Sequence, residues 1–295
     1  MVPDGTRPEP PGWFARAVAE QPGGGAVQVA GVGVHYRAWG DPGRPPLVLV
    51  HGAGAHAGWW DHIAPLITSH QVVAVDLSGH GDSGHRGTYD MDVWAQELLA
   101  VAVAEGLHRP IVVGHSMGGR AAVTTAVAYP DSVAAVVCVD TPLTRRRPDR
   151  SGRQDTARPA GVYPTAEAAI ARFRTRPKTD GVPRHILEHV ARGSLRAVDG
   201  GWTWKADQGV FGRGRPMQDL LPRLGCPVAL VRGEHGLVSP EMAVEMSDLV
   251  AGPLPVVELP DAGHHPMLDQ PLTLLTALRT LLAVWPKGMV AGAGC

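Results

Sequence analysis

Short apolar runs alternate with polar segments rich in Gly and Pro through the first half of the chain and again near its end. Leu47–Val50, Val72–Val75 and Ile111–Val113 are fully apolar, as expected of strands buried on both faces of a sheet. Met91–Glu105 repeats apolar residues at helical spacing, and Pro271–Val284 predicts a final helix. This alternation of strand, loop and helix favours parallel β-α-β units and an α/β fold.

The pattern changes over residues 142–216, where the strand-like runs stop. Helices are expected at Thr165–Thr175, capped by Thr165 or its neighbour, and at Pro183–Leu195, where proline stands early as a helix tolerates. The core pattern resumes at Pro227–Val231. Residues 142–216 are therefore predicted to form a helical lid inserted into the core.

The two ends of the chain are predicted to lie outside this core. Residues 1–25 suggest a mostly extended arm with a short helix at Trp13–Glu20 and a hinge at Gly23–Gly25, and Val27–Trp39 alternates as a hairpin does. Residues 286–295 are small and Gly-rich and are expected to fray. The core is then assigned to residues 26–141 and 217–285.

A serine stands at the apex of a strand–turn–helix motif. Gly114–Gly119 reads Gly-His-Ser-Met-Gly-Gly; it follows an apolar run and opens the Ala- and Val-rich segment Arg120–Tyr129. This context is the one that a G-x-S-x-G nucleophile elbow requires. Ser116 is the candidate nucleophile, and the N–H of Met117, at a helix N-terminus, points where an oxyanion would form. Without that context, the five residues would equally suit a Gly-rich turn with a chance serine.

Two further loops supply candidate partners for the serine. His51–Gly54 is a Gly-rich loop at the end of an apolar run, and the N–H of Ala53 is its candidate oxyanion donor. A serine hydroxyl needs a base to take its proton, and His264 and His265 follow the last strand-like run. The order of serine first and histidine late differs from that of chymotrypsin and subtilisin.

With these motifs in this order, the chain resembles the α/β-hydrolase superfamily. The matching pieces are His51-Gly52, Asp76–Ser83, Gly114–Gly119, and Gly263-His264 with Pro266–Pro271. The resemblance implies a mostly parallel eight-stranded sheet with helices on both faces, a lid between strands six and seven, and a Ser-His-acid triad. It also favours His264 over His265 as the base, because the family histidine follows Ala262-Gly263.

The acid departs from the family pattern. Family members usually carry an aspartate after strand seven, but here Arg232–Pro240 contains none. Asp140, at the end of the sixth strand, is the first substitute, and some family members carry their acid there. Glu234 is the second substitute, and the remaining alternatives are a Ser-His dyad or an acid elsewhere in the chain.

Substrate contacts are expected from Gly52, His115, Trp202 and Trp204. The lid tryptophans are favoured because a lid has little core of its own. Three further aromatic residues could line a pocket, although each one singly suits the core better: Trp59, Trp60 and Phe211.

Charge is distributed unevenly along the 295 residues, although the formal net charge is only −1. Residues 145–215 carry 16 Lys or Arg and 7 Asp or Glu, whereas the rest of the chain carries 11 basic and 21 acidic residues. The simpler interpretation is a lid surface that pairs with the body. The sharper one is a positive potential at the pocket mouth that favours anionic substrates.

The remaining composition narrows the function class. Three cysteines without metal-ligand spacing favour a reducing compartment, no run of about 18 apolar residues predicts a membrane span, and nothing resembles a nucleic-acid module. Residues 1–12 lack the pattern of a signal peptide. We therefore expect a cytoplasmic serine hydrolase, without cofactor or metal, that cleaves a small carboxylic ester; the oligomeric state stays open.

Two alternatives to ester hydrolysis use the same residues. One is carbon–carbon bond hydrolysis or proton abstraction on an anionic substrate, which the basic lid favours. The other is a non-catalytic ligand receptor with a degenerate triad, which the missing loop acid favours.

Overall fold

An eight-stranded, mostly parallel sheet forms the centre of the computed structural model, which describes residues 9–144, 161–211 and 217–284. The strand order is β1-β2-β4-β3-β5-β6-β9-β10; β2 runs antiparallel to both of its neighbours, and the other pairs are parallel. The strands are β1 (Gly23–Val29), β2 (Val32–Trp39), β3 (Pro46–Val50), β4 (Gln71–Val75), β5 (Ile111–His115), β6 (Ala135–Val139), β7 (Leu195–Val198), β8 (Gly201–Trp204), β9 (Val228–Gly233) and β10 (Val256–Leu259). The predicted fold class is confirmed.

Helices cover both faces of this sheet because successive strand residues point to opposite sides. Leu49 of β3 belongs to one hydrophobic cluster and Val48 and Val50 to the other. The first cluster includes residues of α1, α5, α7 and α8, and the second includes residues of α2, α3 and α6. The helices are α1 (Gly12–Ala19), α2 (Met91–Ala104), α3 (Met117–Ala128), α4 (Ala166–Ile170), α5 (Arg184–Gly193), α6 (Pro240–Leu249), α7 (Pro266–Asp269) and α8 (Pro271–Val284). Within the described ranges, no helix combines the length and apolarity that crossing a bilayer requires.

The N-terminal arm differs from its prediction in two respects. Helix α1 packs into the core through Phe14, which is buried. Gly23–Gly25 is not a hinge but the start of β1, paired with Ala38, Arg37 and Tyr36 of β2. A Cβ built on Gly24, whose φ is 120°, would lie 2.3 Å from the Tyr36 carbonyl oxygen, so the close strand contact requires glycine here.

The sequence predicted a helical insertion between β6 and β9, but the insertion is only partly helical. Its strands β7 and β8 form an antiparallel hairpin, whose turn contains Gly200 at φ 82° and Gly201 at φ 148°. Helix α4 begins as predicted, since the Thr165 hydroxyl accepts from Ala168 N–H at 3.1 Å, but it ends at Ile170 rather than at Thr175. Phe173 and Thr175 are buried, whereas the arginines beside them are exposed, so the chain alternates there as an extended segment does. Residues 145–160 of the predicted lid and the predicted tail 286–295 lie outside the described residues.

Replacing Leu49 tests the assignment of β3 to the centre of the core. Leu49→Ala removes a fully buried side chain and should lower the free energy of unfolding by about 2–5 kcal/mol in urea titrations. Val103→Ala is the control, because Val103 on α2 is 80% exposed and its loss should change stability by less than about 0.5 kcal/mol. Equal effects of the two substitutions would contradict the assignment.

Candidate active site

Ser116 occupies a strained turn between β5 and α3. Its backbone has φ 51° and ψ −114°, a combination that is rare for any residue except glycine. The Ser116 N–H donates to the Val139 carbonyl oxygen at 3.0 Å, which joins the turn to the end of β6. The turn therefore lifts the serine side chain out of the sheet while the backbone stays fixed at both sides.

Glycines beside Ser116 allow this turn to pack. A Cβ on Gly114 would lie 2.3 Å from the Gly118 carbonyl oxygen, and a Cβ on Gly118 would lie 2.5 Å from the His51 carbonyl oxygen. These contacts are with backbone, which moves little, so side chains at either position would separate β3, β5 and α3. The spacing of the motif thus follows from the packing of three elements.

Three side chains from different loops form a continuous hydrogen-bonded relay. His264 Nε2 lies 3.1 Å from Ser116 Oγ, and His264 Nδ1 lies 2.6 Å from Asp140 Oδ2. Since an ionised carboxylate only accepts, the Nδ1–H donates to Asp140, and in the neutral ring Nε2 is then free to accept from the serine hydroxyl. His264 is 5% exposed and Asp140 is fully buried, so the relay is shielded from water except at the serine.

Asp140 lies at the carboxyl end of β6 and binds the loop that follows β9. Beyond the His264 contact, its carboxylate accepts from the N–H groups of Leu237 at 2.7 Å and Val238 at 3.3 Å. These amides compensate for the removal of a charge from water. A carboxylate from β6 thus lies against the loop in which the family pattern places the acid.

Gly236 makes room for this carboxylate, a role that sequence reasoning missed. A Cβ on Gly236 would lie 2.2 Å from Asp140 Oδ1. The loop after β9 therefore holds no side chain at the point where Asp140 enters. The available signal was a glycine in a loop without aspartate, taken together with an aspartate at the end of the neighbouring strand.

Glu234, the second candidate acid, faces away from the relay. It is exposed, and its Oε2 accepts from the Asp261 N–H at 2.9 Å. Its contact is with the backbone of the turn that precedes His264. The geometry therefore supports Asp140 over Glu234.

His265 faces the insertion rather than the serine. Its Nδ1 lies 2.7 Å from Thr179 Oγ1, and its ring lies 5.5 Å from that of Trp59. Burial lowers the pKa of His265 to about 3, with the adjacent His264 as the second cause. His265 is thus neutral near pH 7, and the relay uses the other histidine of the pair.

Gly52 and His115, the other two predicted substrate contacts, make packing contacts at the elbow. The His115 Nε2–H donates to the His264 carbonyl oxygen at 2.8 Å, and burial, followed by the charges of His264 and His265, lowers the pKa of His115 well below its usual value. A Cβ on Gly52 would lie 2.7 Å from His115 Nδ1 and 3.3 Å from Ser116 Cβ. His115 therefore holds the backbone of His264, and Gly52 fits between the elbow and its own loop.

The buried carboxylate of Asp76 orders the loop that carries Ala53. Asp76 accepts from the Ala57 N–H at 2.6 Å and lies 2.8 Å from His35 Nδ1. Burial alone would raise the pKa of Asp76. The hydrogen bond from His35 and the nearby His56 and His51 lower the pKa by more than burial raises it, so the net pKa is well below its usual range. The end of β4 is thereby attached to the start of the segment Ala57–Trp60, and the Ala53 loop lies between this attachment and β3.

Of the two predicted oxyanion donors, Met117 follows Ser116 in the chain, and Ala53 follows Gly52, which lies against Ser116. Met117 begins α3, and the first N–H groups of a helix lack acceptors within it. Ala53 is exposed in the turn directly after Gly52. Their joint action on one oxygen atom stays a prediction.

A cavity of about 340 Å³ opens beside this site. Trp204 lines it, whereas Trp202 is not part of the wall, although both tryptophans pack against Ala166, Ala169 and Leu195. Trp60 is fully buried in the core. The side chain of Phe211 lies outside the described residues. The aromatic residues of the wall are Trp59, Tyr163, Phe173 and Trp204, and its basic residues are Arg172, Arg174, Arg176 and Lys205.

Three clusters of described residues bring potential metal ligands within 4.8 Å of one another: His115 with His264 and His265, His35 with Asp76 and Asp82, and Glu234 with His235 and Asp261. In the first, His264 is occupied on both ring nitrogens by Asp140 and Ser116. In the second, Asp76 already holds backbone amides and His35. The third is exposed. The internal hydrogen bonds account for the first two clusters without a metal ion.

Known proteins resemble this chain in sequence and in fold. The profile described as "Alpha/beta hydrolase family" matches residues 47–277. The chain is 28% identical to the esterase Rv0045c of Mycobacterium tuberculosis, over 83% of this chain and 84% of the relative. It is 31% identical to the pimeloyl-[acyl-carrier protein] methyl ester esterase of Chromobacterium violaceum, over 79% and 92% respectively. The crystal structure of E-2-(acetamidomethylene)succinate hydrolase has the same fold, with a TM-score of 0.76, 24% identity, and coverage of 90% of this chain and all of that one.

Buried histidines should make the protein sensitive to mild acid. Burial lowers the pKa of His265 and His80 to about 3 and that of His56 and His62 to about 4. Below about pH 6.5 the unfolded chain binds protons that the folded chain does not, so each such histidine should lower the free energy of unfolding by about 1.4 kcal/mol per pH unit as the pH falls towards the folded-state pKa. Urea titrations at about pH 7.5 and about pH 5 would measure this loss.

His265→Gln removes one of these groups, so the stability difference between the two pH values should shrink. Lys178→Gln, at an exposed residue outside this set of buried histidines, is the control. A free energy of unfolding that stays constant over the range would show that these histidines are not held neutral.

Proposed function

The chain belongs to the alpha/beta hydrolase family, and from this premise we propose that it is a serine hydrolase that cleaves carboxylic esters through an acyl-enzyme. Relatives with esterase and hydrolase activities support the reaction class. The observation that carries the proposal is the relay from Asp140 through His264 to Ser116, at 2.6 and 3.1 Å.

Acylation begins with transfer of the serine proton. Ser116 Oγ attacks the ester carbonyl carbon while His264 Nε2 takes the hydroxyl proton. Asp140 accepts the Nδ1–H, keeps the ring in the tautomer whose Nε2 is basic, and stabilises the imidazolium that forms. The imidazolium then gives its Nε2 proton to the departing alkoxide, which leaves as an alcohol.

The negative charge that develops on the carbonyl oxygen is assigned to the N–H groups of Met117 and Ala53. Met117 begins α3, so the positive end of the helix dipole adds to its hydrogen bond. Donors that are fixed before the reaction stabilise the oxyanion without reorganisation, and removal of one donor typically costs about 3–4 kcal/mol of transition-state stabilisation.

Deacylation repeats these steps with water. His264 Nε2 takes a proton from water, the hydroxide attacks the acyl carbon, and the proton returns to Ser116 Oγ as the carboxylic acid leaves. The relay is thus restored. Serine at the elbow argues against the aspartate-nucleophile chemistry of epoxide hydrolases in this superfamily.

The contact between Asp140 and His264 also bears on the receptor alternative. That alternative depended on the missing aspartate after β9, but Asp140 occupies the corresponding position from β6. A relay with a complete donor–acceptor order favours an enzyme over a degenerate binding protein. Carbon–carbon bond hydrolysis needs an additional group to protonate a carbanion, and we assign no residue to that role.

Labelling with a fluorophosphonate probe tests the nucleophile. The probe should modify Ser116 alone, and Ser116→Ala should abolish labelling and lower turnover by several orders of magnitude, because the serine and its base act as a unit. Ser247→Ala, at an exposed position on α6, is the matched control and should label normally. Labelling that persists in Ser116→Ala would assign the chemistry to another residue.

Paired substitutions test the acid. Asp140→Asn keeps the size and removes the charge, so kcat/KM for a simple ester should fall on the order of a thousandfold or more. Glu234→Gln should change it by less than about threefold, because Glu234 contacts only the turn before His264. In proton NMR, the strongly downfield Nδ1–H signal of His264 should disappear in Asp140→Asn and remain in Glu234→Gln. The reverse ranking of the two variants would show that Glu234 is the acid.

A further inference from the structure

Four cationic side chains line the cavity beside Ser116. Arg172, Arg174 and Arg176 come from the extended segment after α4, and Lys205 follows β8. Among the described residues that form the wall, none is Asp or Glu. An apolar pocket needs no such concentration of positive charge for its own stability, since like charges in proximity repel one another.

Protein carboxylates neutralise only part of this charge. Lys205 Nζ lies 2.6 Å from Asp82 Oδ1, so this cation already has a partner. Arg174 donates to the carbonyl oxygens of Ala171 at 3.0 Å and Phe173 at 2.6 Å, which fix its position without cancelling its charge. For Arg172, no carboxylate lies within 4.0 Å in the described part of the chain.

Two other cations of the insertion, unlike Arg172, are paired with carboxylates. Arg192 pairs with Glu167 at 3.5 Å, and Lys178 pairs with Asp180 at 2.5 Å; both pairs lie outside the cavity wall. Two carboxylates of the insertion, Glu167 and Asp180, thus pair with cations outside the cavity wall rather than with Arg172 or Arg174. The wall keeps positive charge next to a space that a ligand can enter.

Aromatic rings form another part of the wall. The Trp204 ring lies 5.8 Å from that of Phe173 and 5.9 Å from that of Tyr163, and the Trp59 ring lies 6.4 Å from that of Phe173. The Tyr163–Trp204 and Trp59–Phe173 pairs pack edge to face, with interplanar angles of 71° and 63°, and the Phe173 and Trp204 rings are tilted by 50°. Together these rings give an apolar surface. A ligand that fits this wall has an apolar part for the rings and an anionic part for the arginines.

Two residues of the cavity wall adjoin the chemical site. Ala53, the candidate oxyanion donor, and His265, the residue after the candidate base, both line the cavity. Gly52, which precedes Ala53, lies against Ser116. An ester carbonyl at the serine can therefore extend directly into the cavity. At about 340 Å³ the space is at the small end of ligand pockets and suits one short chain.

We propose that the substrate is an ester with a short apolar chain that ends in a carboxylate or phosphate, and that Arg172 and Arg174 bind this anionic end. This substrate class rests on the proposed serine hydrolase activity. Guanidinium groups bind such oxygens in bidentate geometry, and burial of the chain against the aromatic rings strengthens the contact. Positive potential at the mouth also raises the rate of encounter with anions, an effect that salt weakens.

Matched esters test the preference for an anionic end. The p-nitrophenyl monoester of suberic acid is compared with the ester in which the far carboxylate is replaced by a carboxamide, and with one that carries a phosphonate there. The carboxylate or phosphonate ester should have a kcat/KM at least about tenfold above that of the carboxamide ester. Added salt should lower kcat/KM for the anionic esters and leave that of the carboxamide ester unchanged. Whichever anion is favoured distinguishes carboxylate from phosphate recognition. Equal kcat/KM values for all three esters would overturn the proposal.

Three variants locate the contact. Arg172→Gln with Arg174→Gln should lower kcat/KM for the favoured anionic ester by about tenfold, mainly through KM, and leave the carboxamide ester within about twofold. Arg172→Lys with Arg174→Lys should recover part of the loss, since charge remains while the bidentate geometry is lost. Arg196→Gln removes an exposed charge of the insertion outside the wall and is the control, with no effect expected on either substrate. An equal loss on charged and neutral esters would show a structural role only and overturn the proposal.

A binding measurement separates this proposal from the hydrolase assignment. Suberic acid monoamide, an anion without an ester, should bind to the full-length protein in calorimetry, and the double Gln variant should bind it about tenfold more weakly. Binding without hydrolysis of any ester would reject the hydrolase assignment and keep the anion site. Hydrolysis of the carboxamide ester without binding of the anion would keep the hydrolase assignment and reject the anion site.

Discussion

The buried carboxylate of Asp140 is the group on which the rest of the site depends. It lies below the surface with an imidazole N–H and backbone amides as donors, and an ionised carboxylate without them would cost several kcal/mol. These donors belong to the loop after β9 and to the loop after β10. One charge therefore holds both loops against the end of β6. His264 keeps its orientation towards Ser116 because the same carboxylate fixes its other nitrogen.

Much of the fold was predictable because burial on both faces of a sheet leaves a direct trace in the sequence. The runs that became β3, β4 and β5 are almost wholly apolar, and α8 has the bounds that its periodicity indicated. The edge and the insertion were not predictable in the same way. Gly23–Gly25 carries no hydrophobic signal, and its strand is defined by backbone pairing with β2. The segment after Ile170 has helix-forming residues, but packing of Phe173 beside Trp59 and Trp204 accompanies its extended course.

The predictions for the candidate site also differ in how directly the sequence supports them. The strand–turn–helix context predicted Ser116 and the resemblance to the family favoured His264 over His265, and the contact between these two side chains is present. Predictions of substrate contacts were weaker, because contact depends on which way a side chain faces. His115 turns towards the backbone of His264. Trp202 and Trp204 share one face of β8 and both pack against Ala166, Ala169 and Leu195, but of the two Trp204 alone also lines the cavity. The importance of Gly236 was not readable from its surroundings in sequence, because its constraint comes from a carboxylate nearly a hundred residues away.

Neighbouring parallel strands explain why the acid can reach His264 from β6. Val139 of β6 pairs with Val231 of β9, so the two strands end at the same edge of the sheet, and the Asp140 N–H donates to the Val231 carbonyl oxygen at 2.7 Å. A carboxylate at the end of either strand can then approach the same imidazole nitrogen from nearly the same direction. What differs is the space that each arrangement needs. An acid after β9 brings its own loop towards the histidine, whereas an acid after β6 requires that loop to accept an incoming side chain, and Gly236 meets this requirement by having no Cβ. Asp140 and Gly236 are therefore spatially coupled, because a carboxylate at the end of β6 fits against His264 only where the loop after β9 leaves room for it.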